Sequence, residues 1–192
     1  TAGSITSSVS ANTDSGFSVV TYTGTGSSAT IGHGLTSPPK MVIVKSRSGT
    51  GEWITWHTGI NIQAKLSLNT TDAIYNPGTG LYWNSTLPTS SVFSVGTSGA
   101  LNGSSVTYVA YCFAEKKGFS KFGSYVGNGD ASNNTFVYTG FKPSFLIIKD
   151  TAVNSWIMKD NKMNPYNATY DNFLLPDLAN AESSGTYKVC DF

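Results

Sequence analysis

Few side chains in this sequence have the type and spacing that chemistry needs. Nucleophilic catalysis requires a Ser or Cys beside a His that a carboxylate orients. Serines are abundant, and the two histidines are His33 and His57. The G-x-S-x-G nucleophile elbow is absent, and both histidines read as ordinary surface or turn residues. Glycan hydrolysis requires a pair of carboxylates. Glu52, Asp72, Asp14 and Glu115 are the candidates, and none sits in a recognisable motif. Asp130, Asn133 and Asn134 form an oxygen-rich cluster after Gly129. It lacks the alternating Asp/Asn-Gly pattern of a calcium loop and reads as an Asn/Asp turn. Cys112 and Cys190 have no zinc-finger spacing to the histidines, and a single disulfide is the alternative. The sequence therefore points to no catalytic residue, no metal and no cofactor.

Aromatic side chains offer recognition without chemistry, because sugars and receptors stack on exposed Trp and Tyr faces. Trp53 recurs as Trp156 in the internal repeat described below, which marks both as core. Trp56 points to the opposite face of its strand and is replaced by Lys159 in the repeat. Tyr82 and Trp83 lie beside Gly80 and Asn84, near a turn. Trp56, Tyr82 and Trp83 are therefore the expected glycan or receptor contacts. The competing reading is that they pack between sheets or subunits.

The elements that must position these residues are β-strands. Charged residues are 12% of the chain, against roughly 25% in ordinary soluble domains. Ser, Thr, Asn and 20 Gly take their place, and all four are poor helix formers. The net charge is +1 and no basic cluster exceeds Lys116-Lys117, which disfavours nucleic-acid binding. No apolar run approaches the roughly 18 residues of a membrane span.

The chain also repeats itself. Gly16-Phe17-Ser18 recurs as Gly118-Phe119-Ser120. Tyr22, Gly24 and Gly26 recur as Tyr125, Gly127 and Gly129. Gly34-Leu35 recurs as Gly140-Phe141, and Pro39 as Pro143. The apolar run 41–44 with Lys45 recurs as 145–148 with Lys149, and Trp53-Ile54 as Trp156-Ile157. The period is about one hundred residues, the size of a small sandwich rather than a solenoid repeat.

Strands are expected over 17–23, 41–44, 52–57, 65–69, 81–84, 92–95 and 108–115. The 41–44 run reads as a central strand buried on both faces. In the last strand Tyr111 and Phe113 face one way. Ala110, Cys112 and Ala114 face the other, leaving room for a close-packed layer. The fold class is all-β, with sandwich or jelly-roll-like units. Residues 1–15 read as a linker or N-terminal arm, 16–117 as the first unit, and 118–192 as a second, truncated unit, either separate from the first or merged with it. A short helix with Asp177 as N-cap is an option over 177–183. Asn-X-Ser/Thr sequons fall at Asn69, Asn84, Asn102, Asn133 and Asn167, as this composition predicts.

The phrases TYTGTG, GHGL followed by PKMVIVK, TYVAYCFAEKKGFSKFGSYVGNG and FVYTGFKPSFLIIK carry a family resemblance. From about Gly16 onward the chain resembles a β-rich module of tail-fibre and other virion proteins of marine bacteriophages, including cyanophages. The resemblance implies a non-enzymatic structural or adhesion role on a virion, in an appendage that meets the host. It implies partners of three kinds: other copies of the chain, with a trimer favoured; other virion proteins; and a host surface glycan or protein. It implies a virion location, assembled in the host cytoplasm; the charge and the apolar runs add no nucleic acid and no membrane insertion. Free Cys112 and Cys190 fit that reducing compartment. The alternatives are a secreted carbohydrate-binding module, a glycan depolymerase, and a capsid decoration or filament subunit.

Overall fold

The computed structural model describes residues 2–130, 133, 135–163 and 171–185. The strands are β1 (Ser7–Asn12), β2 (Phe17–Thr23), β3 (Ala29–Gly32), β4 (Met41–Ser46), β5 (Ile54–His57), β6 (Leu66–Ser67), β7 (Val92–Val95) and β8 (Thr107–Phe113). They continue with β9 (Phe145–Ile148), β10 (Ile157–Asp160), β11 (Asp171–Phe173) and β12 (Ser183–Gly185). One short helix, α1 (Gly99–Asn102), precedes β8. The chain is all-β, as its composition and patterning indicate.

Six strands make one antiparallel sheet in the order β1-β2-β8-β4-β5-β6. β8 occupies the middle, pairing with β2 from Phe17↔Phe113 to Thr23↔Thr107 and with β4 from Met41↔Phe113 to Ser46↔Tyr108. Its sequence, TYVAYCF, alternates aromatic or β-branched residues with small ones, which suits a pleated strand flanked on both edges. Tyr108, Ala110 and Cys112 are fully buried. Against this small-residue face packs a second layer made of the β3–β7 pair, α1 and the turn at Trp83. Ile31, Phe93, Val95, Leu101 and Trp83 belong to one core with Val20, Val42, Val44, Ile54 and Trp56.

Two tyrosines fasten the layers. Tyr22 and Tyr108 stack with ring centroids 5.2 Å apart. The Tyr22 hydroxyl donates to the Leu101 carbonyl at 2.7 Å, while Tyr108 donates to Gly99 O and accepts from Gly103 N at 2.8 Å. The helix ends are thus satisfied by side chains rising from the sheet. Asn102, fully buried, accepts from Thr25 N at 2.8 Å and donates to Ser27 O and Gly96 O at 2.6 and 2.8 Å. Gly96 lies so close to the turn that a Cβ there would stand 2.0 Å from Gly80 O.

The repeat is visible in backbone registry. β4–β5 pairs Met41↔His57 through Val44↔Ile54, and β9–β10 pairs Phe145↔Asp160 through Ile148↔Ile157. Lys45 folds onto the carbonyls of Ser46 and Gly49, and Lys149 onto those of Asp150 and Ala152. Gly16, Gly26 and Gly34 have left-handed φ, as do Gly118, Gly129 and Gly140. The correspondence also runs past the sequence-level match. Leu66 pairs with Thr55 and Leu174 bridges Met158; Lys65 bridges Tyr75 and Phe173 pairs with Ser183. Asn69 accepts from Trp53 N at 2.9 Å, and Asp177 accepts from Trp156 N at 3.0 Å. The two units touch: Trp156 Nε1 donates to Ser67 O at 2.9 Å, and Ile74 N to Thr151 O at 3.0 Å.

Several expectations are corrected. Residues 1–15 are not a linker. β1 is the edge strand beside β2, and Ile5 is buried in the core, bridged to Ile31. Large apolar residues at only Ile5 and Val9 gave too little alternation to reveal it. Residues 81–84 form a turn rather than a strand, with Asn84 N bonded to Gly80 O. No helix forms over 177–183, because Asp177 accepts the Trp156 amide instead of capping its own segment. The Asn102 sequon is buried.

Replacing Asn102 with Ala removes the hydrogen bonds of three loops. We expect a loss of about 3 kcal/mol in urea unfolding, because buried partners are left unsatisfied. An unchanged midpoint would show that those loops are held by packing alone.

Candidate functional site

The expected contact aromatics do not form a surface. Trp56 is 3% exposed and Trp83 2%. Both belong to the main core, so neither can offer a ring face to a sugar. Trp83 Nε1 donates to Ala64 O at 3.1 Å, whereas Trp56 Nε1 is buried without an acceptor among the described residues. The two faces of β5 were assigned the wrong way round. Trp56 stands opposite Val42 on the inner face, while half-buried Trp53 stacks on Tyr111, ring centroids 6.1 Å apart, on the outer face. The recurrence of Trp53 as Trp156 and the exchange of Trp56 for Lys159 misled. Lys159 is itself only 5% exposed, as a long aliphatic stem permits.

Tyr82 is half-buried and meets the more exposed Tyr75 edge-on at 6.1 Å. Burial raises the Tyr82 phenol above its ordinary pKa, with smaller contributions from Tyr75 and Glu52. Beside this pair, Glu52 accepts from Lys65 at 2.5 Å and from Ser67 at 2.6 Å. Those hydrogen bonds hold its carboxyl below the usual range. Glu52 is therefore an ionised strut between the start of β5 and β6, not a proton donor.

The other groups with chemical potential are engaged in the same way. Asp72 accepts from Thr70 Oγ1 at 2.9 Å, and Glu115 from Lys121 at 3.0 Å. His33 is fully buried, contrary to its expected surface position. Its Nδ1 accepts from Leu35 N at 3.1 Å, so Nε2 carries the hydrogen and donates to Thr89 O at 3.1 Å. His57 Nδ1 accepts from Gly59 N at 2.9 Å. Burial lowers both histidine pKa values. Cys112 is free and buried, and desolvation pushes its thiol up to about 12, which makes it unreactive. Cys190, Asn134 and Asn167 lie outside the described residues. Asp130 and Asn128 close their turn on Asn133 N and Asp130 N. Among the described residues no three His, Cys, Asp or Glu gather as metal ligands. Nor is any helix there long and apolar enough to cross a membrane.

One concave feature is polar. A shallow cleft of about 200 Å³ is lined by Thr6, Ser8, Thr21, Thr23, Thr107 and Arg47. β1 and β2 pair Ser8 with Thr21, and β2 and β8 pair Thr23 with Thr107, so the hydroxyls stand in rows across three strands. Arg47, the sole arginine of the chain, is anchored by its amide to Thr107 O at 2.8 Å and makes no ion pair among the described residues. A guanidinium fork beside hydroxyl donors and acceptors suits a polyol that carries a carboxylate. Sequence reasoning missed the cleft because single Ser and Thr residues in a Ser/Thr-rich chain carry no pattern.

Trp83→Ala should lower stability by about 3–5 kcal/mol. Trp56→Phe, which deletes an unpaired donor, should cost far less. Equal losses in urea unfolding would contradict the packing described. Stability should also depend on the histidines. Their folded-state pKa values lie below the ordinary 6.5, so the unfolded chain binds more protons. Stability from this source is complete above about pH 6.5 and declines as the pH falls toward the folded-state values. His33→Gln should flatten the decline in denaturant midpoints between pH 7.5 and 5, a range chosen to bracket ordinary His titration.

A family model described as a domain of unknown function, DUF7483, matches residues 1–192, taking in both repeats and the N-terminal edge strand. No curated protein and no solved structure matches the chain. The chain belongs to the DUF7483 family.

Proposed function

We propose that this chain is a non-enzymatic virion structural and adhesion module, part of a phage tail fibre that contacts the host surface. The observation that carries this reading is how the chemistry-bearing groups are used. Glu52, His33, His57 and Cys112 are buried or bonded into turns and strands, and the polar concavity offers hydroxyls and one guanidinium. Such a surface suits recognition rather than turnover. The phage phrases from TYTGTG to FLIIK support the virion setting. The low charge and turn-rich surface support a rigid β framework whose weak contacts gain strength from repetition.

Within this reading the cleft at Arg47 is the contact, and its ligand class is a surface glycan bearing carboxylates. Arg47 supplies a bidentate anchor, and the threonine and serine rows supply hydroxyl partners. Oligomerisation, with a trimer favoured, would present several such clefts together.

The test is mass by light scattering together with a glycan array, for the parent chain and Arg47→Ala. We expect a trimer that retains acidic glycans without cleaving them, and a loss of about tenfold or more on removing the guanidinium. Release of new reducing ends would overturn the non-enzymatic assignment. A monomer that binds simple neutral sugars would favour a secreted carbohydrate-binding module. A trimer that binds no glycan would eliminate the adhesive role and leave a structural one.

A further inference from the structure

The strand registers give the cleft at Arg47 a direction. β2 and β8 pair Thr23 with Thr107. Thr6 stands one step before the Ser7↔Tyr22 pair and so beside Thr23. Arg47 stands one step past the Ser46↔Tyr108 pair and so beside Thr107, and its amide donation to Thr107 O at 2.8 Å fixes that step. Thr6, Thr23, Thr107 and Arg47 therefore form one rung across the ends of β1, β2, β8 and β4, which are neighbours in the sheet. Tyr22 and Tyr108, one position along, belong to the core. Alternation turns the rung to the opposite, outer face.

The next rung on that face is of another kind. It runs Ser8, Thr21, Val109, Lys45. Val109 interrupts its hydroxyls, and Lys45 Nζ is committed to the carbonyls of Ser46 and Gly49 at 2.9 and 2.8 Å. The first rung is an unbroken row of hydroxyls that ends on a cation without an ion pair among the described residues. The hydroxyls of Thr6, Thr23 and Thr107 have no hydrogen-bond partner among those residues either. Elsewhere such groups are used within the fold, as Thr30 Oγ1 is on Ser4 Oγ and Thr89 Oγ1 on Val92 O.

Resting on the reading of this cleft as a contact for acidic glycans, we propose that its ligand is an internal stretch of a linear glycan laid along the Thr6–Arg47 rung, at right angles to the strands. A uronic acid carboxylate sits on Arg47, and the chain then advances one sugar per strand. Adjacent strands lie about 4.8 Å apart, close to what one equatorially linked pyranose adds to an extended chain. Thr107 meets the sugar beside the uronate, Thr23 the next and Thr6 the last. A threonine hydroxyl both donates and accepts, so it serves a sugar hydroxyl in either role. The ligand class is thus an unbranched uronic-acid polymer rather than a terminal acidic sugar on a branched antenna.

The experiment titrates the intact chain with β-linked mannuronate oligomers, from dimer to hexamer, by calorimetry. The parent is compared with Arg47→Ala, Thr107→Val, Thr6→Val and Thr21→Val, since valine keeps the β-branched shape and removes the hydroxyl. We expect affinity to rise from dimer to tetramer and then level off. Arg47→Ala and Thr107→Val should weaken every length. Thr6→Val should weaken the tetramer by about three- to tenfold and leave the dimer unchanged. Thr21→Val should leave all lengths unchanged. Binding that needs Arg47 but does not grow with length would overturn the rung and leave the acidic-glycan reading standing. So would a larger loss from Thr21→Val than from Thr6→Val, because the glycan would then follow β2. Failure to bind any mannuronate oligomer, in a chain that retains other acidic glycans on the array, would overturn this inference alone. A chain that retains no acidic glycan would overturn both.

Discussion

The structure depends on one strand that has neighbours on both edges and a small-residue face. β8 ties the β1–β2 half of the six-stranded sheet to the β4–β5–β6 half. Its inward residues are Tyr108, Ala110 and Cys112, all fully buried. The two small ones let the second layer approach, and the tyrosine reaches across to hold α1 by its backbone. A larger residue at Ala110 would force the layers apart, since close-packed interiors resist added volume. The strand's place late in the first unit makes many of its contacts distant in sequence, so the sheet forms only when chain ends and middle meet.

Around that strand, polar groups are used to join loops. Asn102 serves three segments at once, His33 spans from Leu35 to Thr89, and Glu52 joins Lys65 to Ser67. Each is a residue type that elsewhere performs catalysis or metal binding. Here their donors and acceptors are occupied within the fold, as buried polar groups must be. The same logic explains the unreactive Cys112 and the neutral His33. The hydroxyl rows near Arg47, by contrast, line a cleft on the surface.

Much of this was legible in the sequence. The alternation at 108–115 gave both the strand and the direction of its small face, and the continuous run at 41–44 gave a strand buried on both sides. The repeated Gly, Lys and Trp positions gave the duplication, which the paired registers of β4–β5 and β9–β10 reproduce. What failed was local. β1 and β3 are short and rich in Ser, Thr and Ala, so their pairing rests on backbone bonds that side-chain patterns do not report. Trp56 was misplaced because the outer sheet face is apolar too, lined by half-buried Phe17, Val19, Tyr111 and Phe113. With both faces apolar, alternation cannot say which one is the core. The matches of Asn69 with Asp177 and of Tyr75 with Ser183 were hidden by insertions and by unlike side chains doing the same backbone task.

The central claim is that β8, laddered to both β2 and β4, holds the first unit together. Native-state hydrogen exchange on the intact chain tests it most directly. Amides of β2, β4 and β8 should exchange only through global opening, orders of magnitude more slowly than those of the exposed turns. Fast exchange along β8 would contradict the account, because it would mean that the sheet is not held at its middle.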